Sequence, residues 1–187
     1  MENIPKLSET LVNLSLPIKE KYLLCVHHPV TEEAGSSYQN MKNLISALSK
    51  FDIPKIIILP NNDAGSYQTR KSIMDNRKSD MYLFDNLSRK DYLSLLKNCS
   101  AIIGNSSSGL LEAPTFKVPA LNIGIRQKNR VQGENVLNCS NEEKSIEDGI
   151  KRVLSKNFKD KLNNIINPYG DGKSSERIIS ILEKIKI

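Results

Sequence analysis

Tryptophan is absent from the 187 residues, and aromatic side chains make up only 5% of them. Such a chain supplies no platform on which unpaired bases could stack, so nucleic acid is a poor fit. The net charge of +6 does not reverse this, because the lysines are spread over predicted helix faces. A mild preference for small anions is the expectation that remains. Cysteine is scarce: Cys25, Cys99 and Cys139 lie far apart, with no CxxC pair. That pattern predicts buried thiols rather than a disulfide or a zinc site. The only histidines, His27 and His28, are adjacent, so at a strand end they point to opposite faces and no metal is expected. No apolar run approaches the length of a membrane span, and Met1-Glu2-Asn3 does not open a signal peptide. The expectation is a cytoplasmic protein with no membrane partner. Also missing are GxGxxG, GxxxxGK[ST], and a GxSxG with a supporting triad. Those absences argue against a dinucleotide-binding domain, a P-loop and a serine hydrolase.

What is present is an alternation of short apolar runs with amphipathic segments. Runs of strand length occupy 22–26, 55–59, 81–84, 99–103, 118–123 and 135–139. Most read as near-continuous apolar stretches, as parallel strands covered on both faces do. Helical spacing marks 6–16, 36–50, a segment running to about 77, 89–98, 107–116, 141–155, 158–165 and 175–186. Asp63 is the expected cap of the segment that ends near 77, Ser88 with Asp91 reads as a capping box, and Pro114 should shorten 107–116. Strands alternating with helices predict an α/β class, a Rossmann-like parallel sheet with helices on both faces. The domain expected is 20–187, with 1–19 as a helical lead-in.

Polar clusters follow four of the strands. The first is His27-His28-Pro29-Val30-Thr31, in which His27 reads as a satisfied loop residue and His28 as functional. The second is Pro60-Asn61-Asn62-Asp63-Ala64-Gly65-Ser66, where the amide of Asn61 stands near the strand end and could meet a base or a phosphate. The third, Gly104-Asn105-Ser106-Ser107-Ser108-Gly109, leads into Leu110-Leu111-Glu112. A helix starting there would offer free N–H groups and a positive dipole end to a phosphate. The fourth is 124–135, with two glycines and the cations Arg126, Lys128 and Arg130, a candidate anion clamp. The C-terminal ends of parallel strands converge on one edge of the sheet, so the four clusters should face one crevice.

These strings, with Asn122-Ile123-Gly124-Ile125-Arg126-Gln127, Gly133-Glu134-Asn135-Val136 and Tyr169-Gly170-Asp171-Gly172, resemble in order the hydrolysing UDP-N-acetylglucosamine 2-epimerases. That group includes relatives acting on UDP- or GDP-linked diacetamido sugars, and the resemblance spans roughly 20–185. It implies two Rossmann-like domains, as in GT-B glycosyltransferases, of which this chain resembles the C-terminal, nucleotide-binding half. It places His28 against the diphosphate and sugar, as the one catalytic candidate of this chain. It puts Asn61 and the backbone near Leu87 on the uridine, Ser106 and Ser107 on the diphosphate, Glu112 on the ribose hydroxyls, and Arg126 near the nucleotide. The implied reaction converts UDP-N-acetylglucosamine to N-acetylmannosamine and UDP by elimination and hydration, without a cofactor. Its acid and base carboxylates belong largely to the first domain, so this chain alone is expected to be inactive. The implied partners are UDP or a UDP-N-acetylhexosamine, an N-terminal epimerase domain on another chain, and a further copy in a homo-oligomer. A non-catalytic nucleotide-sugar module, or half of a GT-B glycosyltransferase, stays open as the alternative.

Overall fold

The computed structural model describes residues 4–185. Six strands, β1 (Leu23–Val26), β2 (Lys55–Ile58), β3 (Met81–Phe84), β4 (Ala101–Gly104), β5 (Ala120–Ile123) and β6 (Val136–Cys139), form one sheet. Its order is β3-β2-β1-β4-β5-β6, and every pair is parallel. The helices are α1 (Leu7–Asn13), α2 (Ser37–Leu48), α3 (Ser66–Asn76), α4 (Arg89–Asn98), α5 (Ser108–Leu111), α6 (Glu143–Leu154), α7 (Lys156–Lys161) and α8 (Ser174–Leu182). The helix expected over 175–186 thus ends earlier, and residue 186 lies outside the described residues, as do residues 1–3 of the lead-in. Among the described residues no helix is long and apolar enough to cross a membrane.

Alternation along the strands sorts the core into two layers. Leu23, Cys25, Ile57, Ile103 and Leu121 pack under α2, α3 and α6, against Met41, Leu44, Ile45, Ile73, Ile146 and Ile150. Leu24, Val26, Ile56, Ile102 and Ala120 face the other way, onto Leu95 and Leu96 of α4 and onto Leu16 and Ile18. All four residues of β1 are buried because both faces are covered. The lead-in contributes Leu7, Leu11 and Leu14 to the same second layer.

Thr31–Ser36 forms a 3₁₀ turn that runs into α2. Two local expectations are corrected. The side chain of Asp63 does not cap α3: Gly65 holds the N-cap position with φ of +93°, and Asp63 accepts from Asn61 Nδ2 instead. The segment 107–116 is not one helix. It breaks after a single turn at Leu111, and a 3₁₀ turn, Ala113–Phe116, continues past Pro114. The ring of Pro114 removes one N–H and crowds the preceding turn.

The chain reverses its order of winding between β1 and β4. Ligands of open α/β sheets bind beyond the carboxyl ends of the strands at such a switch point. The loops that leave these two strands begin with His27-His28 and with Asn105-Ser106-Ser107.

Candidate functional site

Gly104 makes the switch point possible. Its φ is +134°, and a Cβ there would stand 2.1 Å from the carbonyl oxygen of Val26 on the adjacent strand. The chain therefore turns sharply off β4, and Asn105 follows, only 1% exposed. The backbone N–H of His28 donates to Asn105 Oδ1 at 2.7 Å, and Asn105 Nδ2 donates to the carbonyl of His28 at 2.8 Å. From the other side, Gln127 Nε2 and Arg126 Nη1 donate to the carbonyl of Asn105, at 2.8 and 3.3 Å. Three strand-end loops meet at this residue.

His28 is half-buried, and its Nδ1 accepts the backbone N–H of Asn61 at 3.3 Å. In the neutral ring the proton then resides on Nε2, which makes that nitrogen the donor. Burial holds the His28 pKa below its ordinary value, Arg126 pushes the same way, and Asp63 opposes them. His27 departs from expectation. It is buried, not satisfied, and its Nδ1 has no hydrogen-bond partner. Burial pushes its pKa down to about 4, with His28 and Arg126 adding to the effect.

A helix dipole adds little at the serine turn, because α5 is a single turn of four residues. What the turn could offer an anion lies in the loop itself. Ser108 N–H is turned back to Ser106 Oγ, while the amides of Ser106 and Ser107 donate to no group among the described residues. Adjacent free amides of this kind form an anion-binding concavity. Ser107 occupies the N-cap of α5 without a side-chain capping bond, which leaves its hydroxyl for other partners. Tyr92 of α4 lies beneath the turn. Its buried hydroxyl is beside Ser108 and Ser106 but out of hydrogen-bond geometry, and burial raises its pKa to about 12.

His28, Asn61, Arg126 and the serine turn are therefore brought together. A cavity of about 290 Å³ opens between Pro29, Val30, Asp63 and Arg126. Glu112 stands apart, in a cavity of about 210 Å³ with Leu93 and Phe116, and it pairs with Arg89 at 3.5 Å. The N–H of Leu87 is taken by Asn86 Oδ1 at 2.9 Å. Of the three cations of 124–135, only Arg126 turns into the crevice; Lys128 and Arg130 are exposed. Asn135 of this segment is structural, fully buried and donating to the carbonyls of Gly109 and Val118. Tyr169 braces the segment from outside through its hydroxyl, which donates to the carbonyl of Val131 at 2.9 Å. A larger cavity, about 530 Å³, lies away from this crevice, between β6 and the α6–α7 corner. Burial pushes the thiols of Cys25, Cys99 and Cys139 up to about 12, so none is a ready nucleophile. Among the described residues no three His, Cys, Asp or Glu side chains gather to hold a metal ion.

Asn105 and Gln127 were not singled out by sequence reasoning, although both stand in the quoted strings. Their polarity gave a signal of loop, and only the fold reveals that both are buried.

A six-stranded, doubly wound parallel sheet with a polar crevice at its switch point defines a Rossmann-like domain. Sequence comparison is specific beyond that: a family model described as UDP-N-acetylglucosamine 2-epimerase matches residues 2–183. The chain belongs to this family. It is 32% identical over 169 residues to the UDP-N,N'-diacetylbacillosamine 2-epimerase (hydrolyzing) of Legionella pneumophila, covering 90% of this chain and 44% of that protein. It is 36% identical over 145 residues to the GDP/UDP-N,N'-diacetylbacillosamine 2-epimerase (hydrolyzing) of Campylobacter jejuni, covering 75% and 37%. In structure it resembles the UDP-GlcNAc 2-epimerase of Neisseria meningitidis bound to UDP-GlcNAc, with a TM-score of 0.75 at 22% identity, covering 96% and 53%. The fold is thus that of one half of a GT-B-like epimerase. The chain spans less than half the length of the curated relatives it matches.

Proposed function

We propose that this chain is the nucleotide-binding half of a hydrolysing UDP-sugar 2-epimerase. The observation that carries the reading is the meeting, at the switch point, of an imidazole N–H donor, two free backbone amides and one guanidinium. Neutral and cationic donors of this kind suit a diphosphate, with the carboxylates of Glu32 and Asp63 lining the cavity beside Arg126. Ser106 and Ser107 hold it through their amides and hydroxyls, and Arg126 offsets its charge. His28 Nε2–H points to the diphosphate and the sugar. Asn61 and the backbone at Leu87 bound the base, and Glu112 accepts the ribose hydroxyls once Arg89 yields or shares it. The hydrolysing subtype is supported by the two relatives whose names carry that word.

In the proposed reaction a base removes the proton at C2 of the sugar and UDP leaves from C1 with the bonding pair, so a glycal forms. Water then gives its hydroxyl to C1, and a proton enters C2 from the opposite face. This yields the free 2-epimer and UDP. The acid and base are positioned carboxylates from a second domain, and this chain alone binds without turning over. The bare stripe of Ile178, Ile181, Leu182 and Ile185 on and after α8 is a surface that such a domain would cover.

The test is complementation. The chain is mixed with the separately produced first half of the Legionella pneumophila relative and supplied with UDP-N-acetylglucosamine and with a UDP-diacetamido sugar. Release of a free 2-epimerised sugar together with UDP is the expected result. Binding without release would favour a non-catalytic module, and transfer of the sugar to an added acceptor would favour a glycosyltransferase half.

A further inference from the structure

We propose that Asn105 is a positioning residue for this site, fixing the direction of the His28 imidazole through the backbone of His28 and holding Arg126 through its own carbonyl. The inference rests on the reading of the crevice as a nucleotide diphosphate site.

The parallel pairing of β1 with β4 ends at Val26 and Gly104. Beyond that point Gly104 swings the backbone away, and one main-chain bond, from the Asn105 N–H to the Val26 carbonyl, closes the pairing. The Asn105 amide continues the ladder with its side chain. It accepts the N–H of His28 at 2.7 Å and donates to the carbonyl of the same residue at 2.8 Å. Its own N–H donates to the carbonyl of Val26 at 3.1 Å. One donor head and one acceptor head are required at this reach, and among the natural side chains asparagine fits. Aspartate lacks the donor, and glutamine is one methylene too long. The residue is only 1% exposed, so neither head can exchange its partner for water.

Two consequences follow for the site. With the His28 backbone fixed, the Asn61 N–H reaches His28 Nδ1 and leaves the neutral ring with its proton on Nε2, the nitrogen that faces a ligand. With the Asn105 carbonyl fixed, Arg126 and Gln127 are docked onto the same point, which holds the guanidinium beside the start of the serine turn. Asn105 touches no ligand in this account. It acts through His28 and Arg126.

The experiment follows imidazole ¹⁵N shifts in the ligand-free chain and its Asn105→Ala and Asn105→Asp variants, with calorimetric UDP titration of each. The expected result is one neutral His28 tautomer in the parent, protonated at Nε2. Both variants should show a mixture of tautomers and a loss of about tenfold in UDP affinity. Circular dichroism certifies that the variants fold, and Asn105→Asp keeps the volume and the acceptor head for that purpose. Unchanged tautomer and affinity in a folded variant would overturn the inference. Failure of both variants to fold would also overturn it, since Asn105 would then be a folding residue. If the parent binds no UDP but the tautomer still shifts, the diphosphate reading fails and the positioning role stands.

Discussion

His27 and His28 are neighbours with different surroundings, and they titrate for different reasons. His27 is buried with an unpartnered Nδ1, and its pKa lies at about 4. An unfolded histidine binds its proton near pH 6.5. Between those values the unfolded chain holds more protons than the folded one, so stability is intact above pH 6.5 and falls as pH drops toward 4. Denaturant titrations across that window should show the loss, and His27→Gln should flatten it. His28 stays neutral for a reason that can be edited. Burial comes first, but Arg126 adds to it, so Arg126→Ala should raise the His28 midpoint in an NMR titration. An unchanged midpoint would place the guanidinium elsewhere. A bound diphosphate should raise it as well, because an adjacent anion favours the charged ring. The place of His28 beyond a strand end was legible in the sequence, because an apolar run leads into it and a proline follows. The orphaned Nδ1 of His27 was not, because its surroundings come from distant elements.

At the scale of elements, the strands and helices could be read from local pattern, while their ends and bends depended on tertiary contacts. Ser88 illustrates the first. Its hydroxyl accepts the Asp91 N–H at 3.1 Å and donates to the Asp91 carboxylate at 2.6 Å, so the cap of α4 is local and was foreseen. Ser88→Ala should cost about 1 kcal/mol of stability in chemical denaturation. Asp63 illustrates the second, since a left-handed Gly65 starts α3 in its place. Lys55 was invisible to pattern. It opens β2 inside an apolar run, yet its side chain is fully buried, and Nζ donates to Asp80 at 2.5 Å and to the carbonyl of Phe51 at 2.6 Å. Asp80 is 38% exposed, which screens the pair. Asp80→Asn should therefore cost about 2 kcal/mol, between the values of open and fully buried pairs. A loss near zero would mean that the Phe51 carbonyl and water suffice for the buried ammonium.

The whole molecule was legible where periodicity sufficed. Six apolar runs became six parallel strands, and the four polar clusters lie at their carboxyl ends. What the pattern could not supply was the depth of each polar residue. Gln127 and Asn135 read as loop, yet one is 1% and the other 0% exposed. Both use their amides to join segments that are distant in sequence. Glu112 and Leu87 were expected at the nucleotide; the fold sets Glu112 in a separate cavity beside Arg89, and the Leu87 N–H is taken by Asn86. The chain covers less than half of each of these curated relatives.

The central claim is that the crevice at the switch point holds a uridine diphosphate group. The most direct measurement is calorimetric titration of the chain with UDP, with GDP as control, repeated on Ser107→Ala and Arg126→Ala. The account predicts saturation near one UDP per chain, and a loss of roughly tenfold or more for Arg126→Ala, as expected for a charged hydrogen bond. Saturable UDP binding that both variants leave unchanged would contradict it.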